Sequence, residues 1–106
     1  MQNTTNDSKN QPEENQMHVL ERIIRHEPPV EVILLLTRST DGISLPRLDR
    51  FYSMANWPHV KHNLGLFEVL DAMQKASLIE QSGLQITKGP LWREATFMAE
   101  KKYSLE

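Results

Sequence analysis

Cysteine is absent from this chain of 106 residues. Its absence excludes a disulfide scaffold, a thiolate zinc site and a cysteine nucleophile. Long apolar runs are also lacking, since the longest, at residues 32–36, is far shorter than the ~20 residues of a membrane-spanning helix. No basic segment followed by an apolar one opens the chain, so we expect a cytoplasmic protein that is not bound to a membrane.

Glycine is scarce, and an excess of positive charge is missing. The four glycines form no loop that could cradle a phosphate. The formal net charge is −2, whereas DNA-binding proteins usually carry a basic surface that neutralises phosphates. Residues 38–62 differ from this average, because they carry four bases and two acids, namely Arg38, Arg47, Arg50, Lys61, Asp41 and Asp49. A basic surface would therefore have to come from the middle of the chain.

Groupings of residues that could perform catalysis are equally scarce. No serine, histidine and acid stand in a pattern typical of nucleophilic catalysis. His59 and His62 are three positions apart and could share one helix face, but a metal site would lack a third ligand. We interpret them as partly exposed polar residues. The sequence thus predicts no enzyme, no cofactor and no metal site.

The stretch at residues 67–92, FEVLDAMQKASLIEQSGLQITKGPLW, determines the predicted fold. Its first part repeats apolar residues every three or four positions, as one face of a helix does, at Val69, Leu70, Met73 and Ala76. The period then shortens to that of strands at residues 78–81 and 84–87, with Ser82 and Gly83 as the turn. Pro90 is acceptable in the first turn of a following helix, predicted at residues 91–103.

Three further helices are predicted upstream. Residues 16–26 carry an apolar stripe and end before two prolines. Residues 30–39 are apolar on all sides, which is typical of a buried helix. Ser44 is a favourable N-cap for a helix over residues 45–54.

Two shorter segments complete the prediction. Ile43 is expected on a strand of one or two residues that pairs with the hairpin. Residues 1–14 are polar and have no apolar period, so we predict a disordered tail.

Two segments resemble winged helix-turn-helix regulators of the MarR and PadR type. They are VILLLTRSTDGISLPRLDRFYSM and KASLIEQSGLQITKGPLWREA, and the resemblance covers roughly residues 30–102 in apolar pattern and breaker placement. It implies a mainly α fold with a small antiparallel β-hairpin wing, in one winged-helix domain at residues 15–104. It also implies a bacterial-type, DNA-binding transcription regulator that acts as a homodimer through its helices at 16–26 and 91–103. The alternative for helix 16–26 is that it only covers the core of its own domain.

The segment at residues 55–62 departs from this family. A tight helix-turn-helix needs only three or four residues between its helices. Either Asn56 caps an unusually long helix, or Asn63 caps a normal one after an inserted loop, and the sequence leaves both open. In the second case the helix would begin with Asn-Leu-Gly-Leu-Phe-Glu, which offers one Asn and no Arg or Gln for reading bases.

The sequence supports two hypotheses of function, of which a DNA-binding transcription regulator is preferred and a module for protein contacts is the alternative. If double-stranded DNA is the partner, phosphates are expected at Arg47, Arg50 and Lys61, base edges at His62 and Asn63, and the wing is flanked by Lys88 and Arg93. The rival hypothesis is a winged-helix module for protein contacts, such as an accessory subunit or an antitoxin-like partner, without DNA binding. Negative net charge and the apolar start of the would-be recognition helix favour this rival.

Overall fold

The computed structural model describes residues 12–104, with side chains from His18 onward. Within this range, five helices and three short strands follow one another: α1 Pro12–His26, α2 Pro29–Leu36, β1 Ile43–Ser44, α3 Leu45–Met54, α4 Asn63–Lys75, β2 Ile79–Ser82, β3 Gln85–Lys88 and α5 Thr96–Ala99. The predicted fold class is confirmed: the domain is mainly α, with a small antiparallel sheet whose hairpin follows the helices. This arrangement is compatible with a winged helix.

The sheet is a hairpin of β2 and β3 extended by β1, in the order β1-β3-β2. Its turn lies at Gly83 and Leu84, one residue later than predicted, and Gly83 adopts the left-handed φ of 62° that glycine favours. Ile79 and Ile86 point into the core, while their neighbours Glu80 and Gln85 are exposed. The period-two pattern therefore predicted the hairpin correctly, because its alternation matches one buried face of a sheet.

The junction of β1 and α3 is also as predicted. Ile43 pairs with Ile86 in antiparallel register. The Ser44 hydroxyl accepts a hydrogen bond from the Arg47 backbone N–H at 3.3 Å, which caps α3. Pro46 lies in the first turn of α3, where a missing N–H costs nothing.

Helix α2 forms the centre of the core. Its residues Val32, Ile33, Leu34 and Leu35 are all buried, as its uniformly apolar sequence predicted. The buried side chains around it come from every other helix and from the sheet: Ile23, Ile24, Ile43, Leu48, Phe51, Tyr52, Ala55, Val60, Leu66, Leu70, Met73, Ile79, Ile86, Ala95 and Phe97. One continuous core thus holds the helices and the hairpin together.

The segment between α3 and α4 is a loop, which decides between the two interpretations of residues 55–62. Helix α4 begins at Asn63, and the residue that precedes it, His62, makes no capping hydrogen bond with its side chain. Asn63 is therefore the first helical residue and not the cap. Four residues of this loop have left-handed φ values between 56° and 73°, namely Asn56, Trp57, His59 and Lys61.

The loop is fixed by hydrogen bonds that compensate for this strained backbone. The Trp57 N–H donates to the Tyr52 carbonyl at 2.7 Å, and the Lys61 N–H donates to the Trp57 carbonyl at 3.0 Å. The His59 ring nitrogen Nε2 lies 2.9 Å from the Arg25 carbonyl oxygen at the end of α1. These contacts attach the loop to α3 through Tyr52 and to α1 through Arg25.

The prediction of a helix at residues 91–103 is wrong. Residues 92–95 form no regular structure, and α5 covers only Thr96–Ala99. The Leu91 N–H donates to the Ser77 carbonyl at 2.9 Å, so the chain after Pro90 follows the start of β2 instead of coiling. The apolar spacing had the period of a helix, but tertiary hydrogen bonds determine the backbone here. The predicted dimer interface therefore loses one of its two helices.

Helix α1 begins at Pro12, four residues before the predicted start. Residues 12–14 of the predicted tail are thus helical, while residues 1–11 lie outside the described part. Proline suits the first helical position because the backbone N–H that it lacks would have no hydrogen-bond partner there. Within the described residues, no helix is long and apolar enough to cross a membrane.

Candidate interaction surface

Helix α4 lies directly before the hairpin, which is where the resemblance to winged helices predicts a recognition helix. Its inner side packs into the core through Leu66, Leu70 and Met73. We call its exposed residues Leu64, Phe67, Glu68 and Asp71 the α4 stripe. At about 100° per residue, these four positions share one side of the helix.

The α4 stripe combines apolar and acidic side chains. Leu64 is 60% exposed and Phe67 is 39% exposed. Asp71 pairs with Lys75 at 2.9 Å, whereas Glu68 has no ion-pair partner among the described residues. The stripe therefore exposes apolar area next to two carboxylates, one of which is paired within the helix.

Helix α3 presents the second exposed surface. Arg47 and Arg50 point to solvent, and the Arg47 guanidinium carbon lies 5.4 Å from the centroid of the Phe51 ring. No carboxylate of the described residues lies within ion-pairing distance of either arginine. The prediction that both arginines face outward is confirmed.

Two adjoining surface cavities lie along this side of α3. One, of about 260 Å³, lies between α1 and α3, and the other, of about 450 Å³, lies along the first turns of α3. Phe51 and Met54 line both, and Met54 is 69% exposed. We call the combined surface the α3 groove; its apolar and basic lining is Leu20, Ile24, Arg47, Arg50, Phe51 and Met54, and His18 and Glu21 of α1 lie at its edge.

The remaining predicted DNA contacts are distributed over two regions. Lys61, His62 and Asn63 are all exposed where the loop enters α4. A helix start carries partial positive charge, so these residues would suit an anion. Lys88 lies at the end of the wing, with its Nζ 4.3 Å from the centroid of the Trp92 ring.

Arg93 does not lie free beside the wing. Its guanidinium forms a bidentate ion pair with Glu31 on α2, with Nη2 to Oε2 at 2.6 Å and Nη1 to Oε1 at 3.2 Å. The Glu31 carboxylate also accepts from the Thr96 N–H at 2.7 Å, at the start of α5. Arg93 would have to leave this pair to bind a phosphate, so its geometry indicates a structural contact.

We call residues 91–104 the C-terminal strap, because they cross α1 and α2. The Glu27 carboxylate oxygen Oε2 accepts from Lys102 Nζ at 2.7 Å and from the Tyr103 hydroxyl at 2.8 Å. Phe97 is buried and meets the Tyr103 ring edge to face, with centroids 5.4 Å apart. Phe97 belongs to the segment that was predicted to form the dimer contact, and the structure buries it within its own chain.

The two glutamates that hold the C-terminal strap have lowered pKa values. Burial alone would raise the pKa of Glu27, but hydrogen bonds from Lys102 and Tyr103 outweigh it and lower the pKa. For Glu31, the hydrogen bond from Arg93 is the main cause of the lowered pKa, and burial opposes it. Both carboxylates are therefore ionised at neutral pH and hold the strap as charged acceptors.

Metal-binding geometry is not found in the described part of the chain. No three histidine, aspartate or glutamate side chains there are grouped so that they could hold an ion. His59 is occupied by its contact with the Arg25 carbonyl, so it does not join His62 in a site.

Sequence reasoning missed the α3 groove and the strap contacts. The groove depends on how α1 crosses α3, which no local pattern encodes. For the strap, the only available signal was that Glu27 and Glu31 stand on either side of Pro28-Pro29, while basic residues follow Pro90. The chain matches no protein-family model, no curated protein and no solved structure.

Proposed function

We propose that this chain is a winged-helix module for protein contacts, and that the α4 stripe is its binding surface. One observation carries the proposal: the helix in the recognition position exposes Leu64 and Phe67 beside Glu68 and Asp71. Aromatic and aliphatic side chains that lie exposed together are typical of protein interfaces. Complete burial of a fully exposed side chain of this size contributes about 1.5–3 kcal/mol, and Leu64 and Phe67, which are already partly covered, would each supply part of that amount.

The charge of the α4 stripe argues against a groove of DNA. A recognition helix reads bases through Arg, Asn, Gln or Lys, and its flanks neutralise phosphates. At the start of α4 only Asn63 has suitable chemistry, and Glu68 would face the phosphate backbone or a base edge. On a protein partner, the same carboxylate would be paired by an arginine or lysine.

A DNA-binding transcription regulator that acts as a homodimer is the second candidate. It is favoured by Arg47 and Arg50, which are exposed without carboxylate partners, and by Lys61 at the entrance to α4. Helix α1 would then supply the dimer contact. If this candidate is right, replacing Arg47 and Arg50 with alanine weakens binding to any duplex and reduces its salt dependence.

The test compares two exposed positions in the cell. A photo-reactive benzoylphenylalanine replaces Phe67, and in a matched control it replaces Leu91, which is 66% exposed on the strap. After irradiation we expect protein adducts at position 67 and far fewer at position 91. Equal labelling at both positions would contradict the proposal, since the α4 stripe would then be no preferred surface.

DNA binding is measured in parallel with purified protein and a labelled generic duplex at low salt. We expect no change in fluorescence anisotropy at tens of micromolar protein, where nonspecific DNA binders associate, at roughly 10⁻⁴ to 10⁻⁶ M. Binding that is lost with Arg47→Ala/Arg50→Ala and kept with Leu64→Ser/Phe67→Ser would favour the regulator instead.

A further inference from the structure

The α3 groove and the α4 stripe have complementary chemistry. The groove is apolar at Leu20, Ile24, Phe51 and Met54, and basic at its arginines, while the one carboxylate that lines it, Glu21, is paired with Arg25 at 2.9 Å. The stripe, in contrast, is apolar at Leu64 and Phe67 and acidic beside them. Both surfaces lie on exposed helix faces of the same chain.

The two surfaces also have similar dimensions. Arg47, Arg50, Phe51 and Met54 span about 100° of the α3 circumference, and the α4 stripe spans a similar arc. A stripe of this width is what one helix presents to another when they pack side by side. The two cavities of the groove, of about 260 and 450 Å³, are large enough for several side chains.

The charges that remain unpaired have opposite signs on the two surfaces. Arg47 and Arg50 lack a carboxylate partner, and Glu68 lacks a base, within the residues described. A contact between the surfaces would pair Glu68 with one of these arginines and cover Met54 with Leu64 or Phe67. Each surface thereby offers what the other lacks.

We propose that the α4 stripe of one copy of this chain binds the α3 groove of a second copy. This inference rests on the proposed function, because it names the partner of the α4 stripe. A second copy satisfies both surfaces at once, and symmetric self-association is the commonest form of assembly. The contact would use α3 and α4, whereas the sequence predicted a dimer contact through a helix at residues 91–103 that the structure does not contain.

A charge-swap experiment tests the contact. The variants Glu68→Arg and Arg50→Glu are made separately, and self-association is measured by analytical ultracentrifugation up to about 1 mM. We expect the wild type to self-associate more tightly at low salt than at high salt. Each variant alone is expected to self-associate at least about 10-fold more weakly than the wild type, because like charges then face each other across the contact.

Mixing the two variants is the decisive step. One contact then pairs the native Glu68 with the native Arg50, and the other pairs the introduced arginine with the introduced glutamate. We expect the mixture to associate more tightly than either variant alone. The matched reversals Glu100→Arg and Lys101→Glu, both on the exposed strap, are expected to leave association unchanged.

Three results would overturn the inference: a wild type that stays monomeric, single variants that associate as the wild type does, or a mixture that gains nothing. Far-UV circular dichroism and thermal unfolding of each variant establish that the surface substitutions leave the fold intact. If the wild type is monomeric but still forms adducts with another protein at position 67, the partner is not a second copy of the chain. The proposed function would then stand without this inference.

Discussion

Removing the hydroxyl of Tyr52 should stabilise the protein. Tyr52 is fully buried, and its hydroxyl has no hydrogen-bond partner among the described residues. An unsatisfied buried hydroxyl costs about 1–3 kcal/mol relative to its hydrated state in the unfolded chain. Phenylalanine keeps the ring and leaves a void of only one oxygen atom, for which the cavity cost is about 0.3 kcal/mol.

We therefore expect Tyr52→Phe to raise the free energy of unfolding by about 1 kcal/mol. For a domain of this size, that gain corresponds to an increase in Tm of about 4–8 °C. Urea titration should move the midpoint upward without a change in slope, because the exposed area on unfolding is the same.

Tyr103→Phe is the matched control, since it removes the same atom from a hydroxyl that has a partner. The Tyr103 hydroxyl donates to the Glu27 carboxylate at 2.8 Å, so this variant should lose about 1 kcal/mol. The two substitutions are thus expected to have opposite signs. If both destabilise, the Tyr52 hydroxyl must have a partner in solution, and the argument from its isolation is refuted.

The pH dependence of the Tyr52 variant gives a second check. Burial raises the pKa of Tyr52 above its ordinary value of 10.0. The unfolded chain therefore ionises this tyrosine first, and the wild type loses stability as the pH rises above about 10. Tyr52→Phe removes this loss, so its advantage should grow in alkaline solution.

Three further substitutions test the strap and the loop. Glu31→Gln should lower the free energy of unfolding at neutral pH and make it fall less in acid. The reason is that the lowered pKa of Glu31 stabilises the folded state above pH 4.5, and this stabilisation disappears as the pH falls. Urea titrations at several pH values measure the effect. Gly65→Ala should destabilise by about 1–3 kcal/mol in thermal unfolding despite the better helix propensity of alanine, because its Cβ would meet the Val60 carbonyl. Trp92→Phe removes the Nε1–H that donates to the Thr37 hydroxyl at 3.0 Å, and should cost about 1 kcal/mol in urea titration.

The elements that the sequence predicted correctly are those whose partners lie close along the chain. The hairpin needed only the alternation around Ile79 and Ile86 and a glycine between the strands. The cap of α3 needed Ser44 and the proline two residues later. In each case local chemistry and tertiary packing favour the same backbone.

The wrong helix at residues 91–103 has the opposite cause. Its apolar spacing predicted a helix, but Arg93 binds Glu31, which lies 62 positions away in the sequence. The Thr96 N–H is held by the same carboxylate, so α5 can start only there. A partner so distant in sequence leaves no periodic signal near Arg93, and single-sequence reasoning could not have found it.

Of the candidate site, the composition could be predicted and the exposure only in part. The sequence already indicated that Leu64, Phe67 and Glu68 are poor readers of bases. The apolar spacing predicted that Leu70 and Met73 share one face of the helix, but where the helix begins was left open, and with it whether Leu64, Leu66 and Phe67 would face solvent. The structure buries Leu66 and exposes Leu64 and Phe67, which gives the surface a definite chemistry.

The loop before α4 fixes the start of that helix. Residues 55–62 hold four left-handed backbone conformations, each of which costs on the order of 1 kcal/mol. The hydrogen bond from the Trp57 N–H to α3 and the contact from His59 to the end of α1 hold the loop in this conformation. The start of α4 is therefore held against α1 as well as α3. If the α4 stripe is the binding surface that we propose, a partner can bind it or leave it without any change in the core, because the inner side of the helix and its start are already fixed.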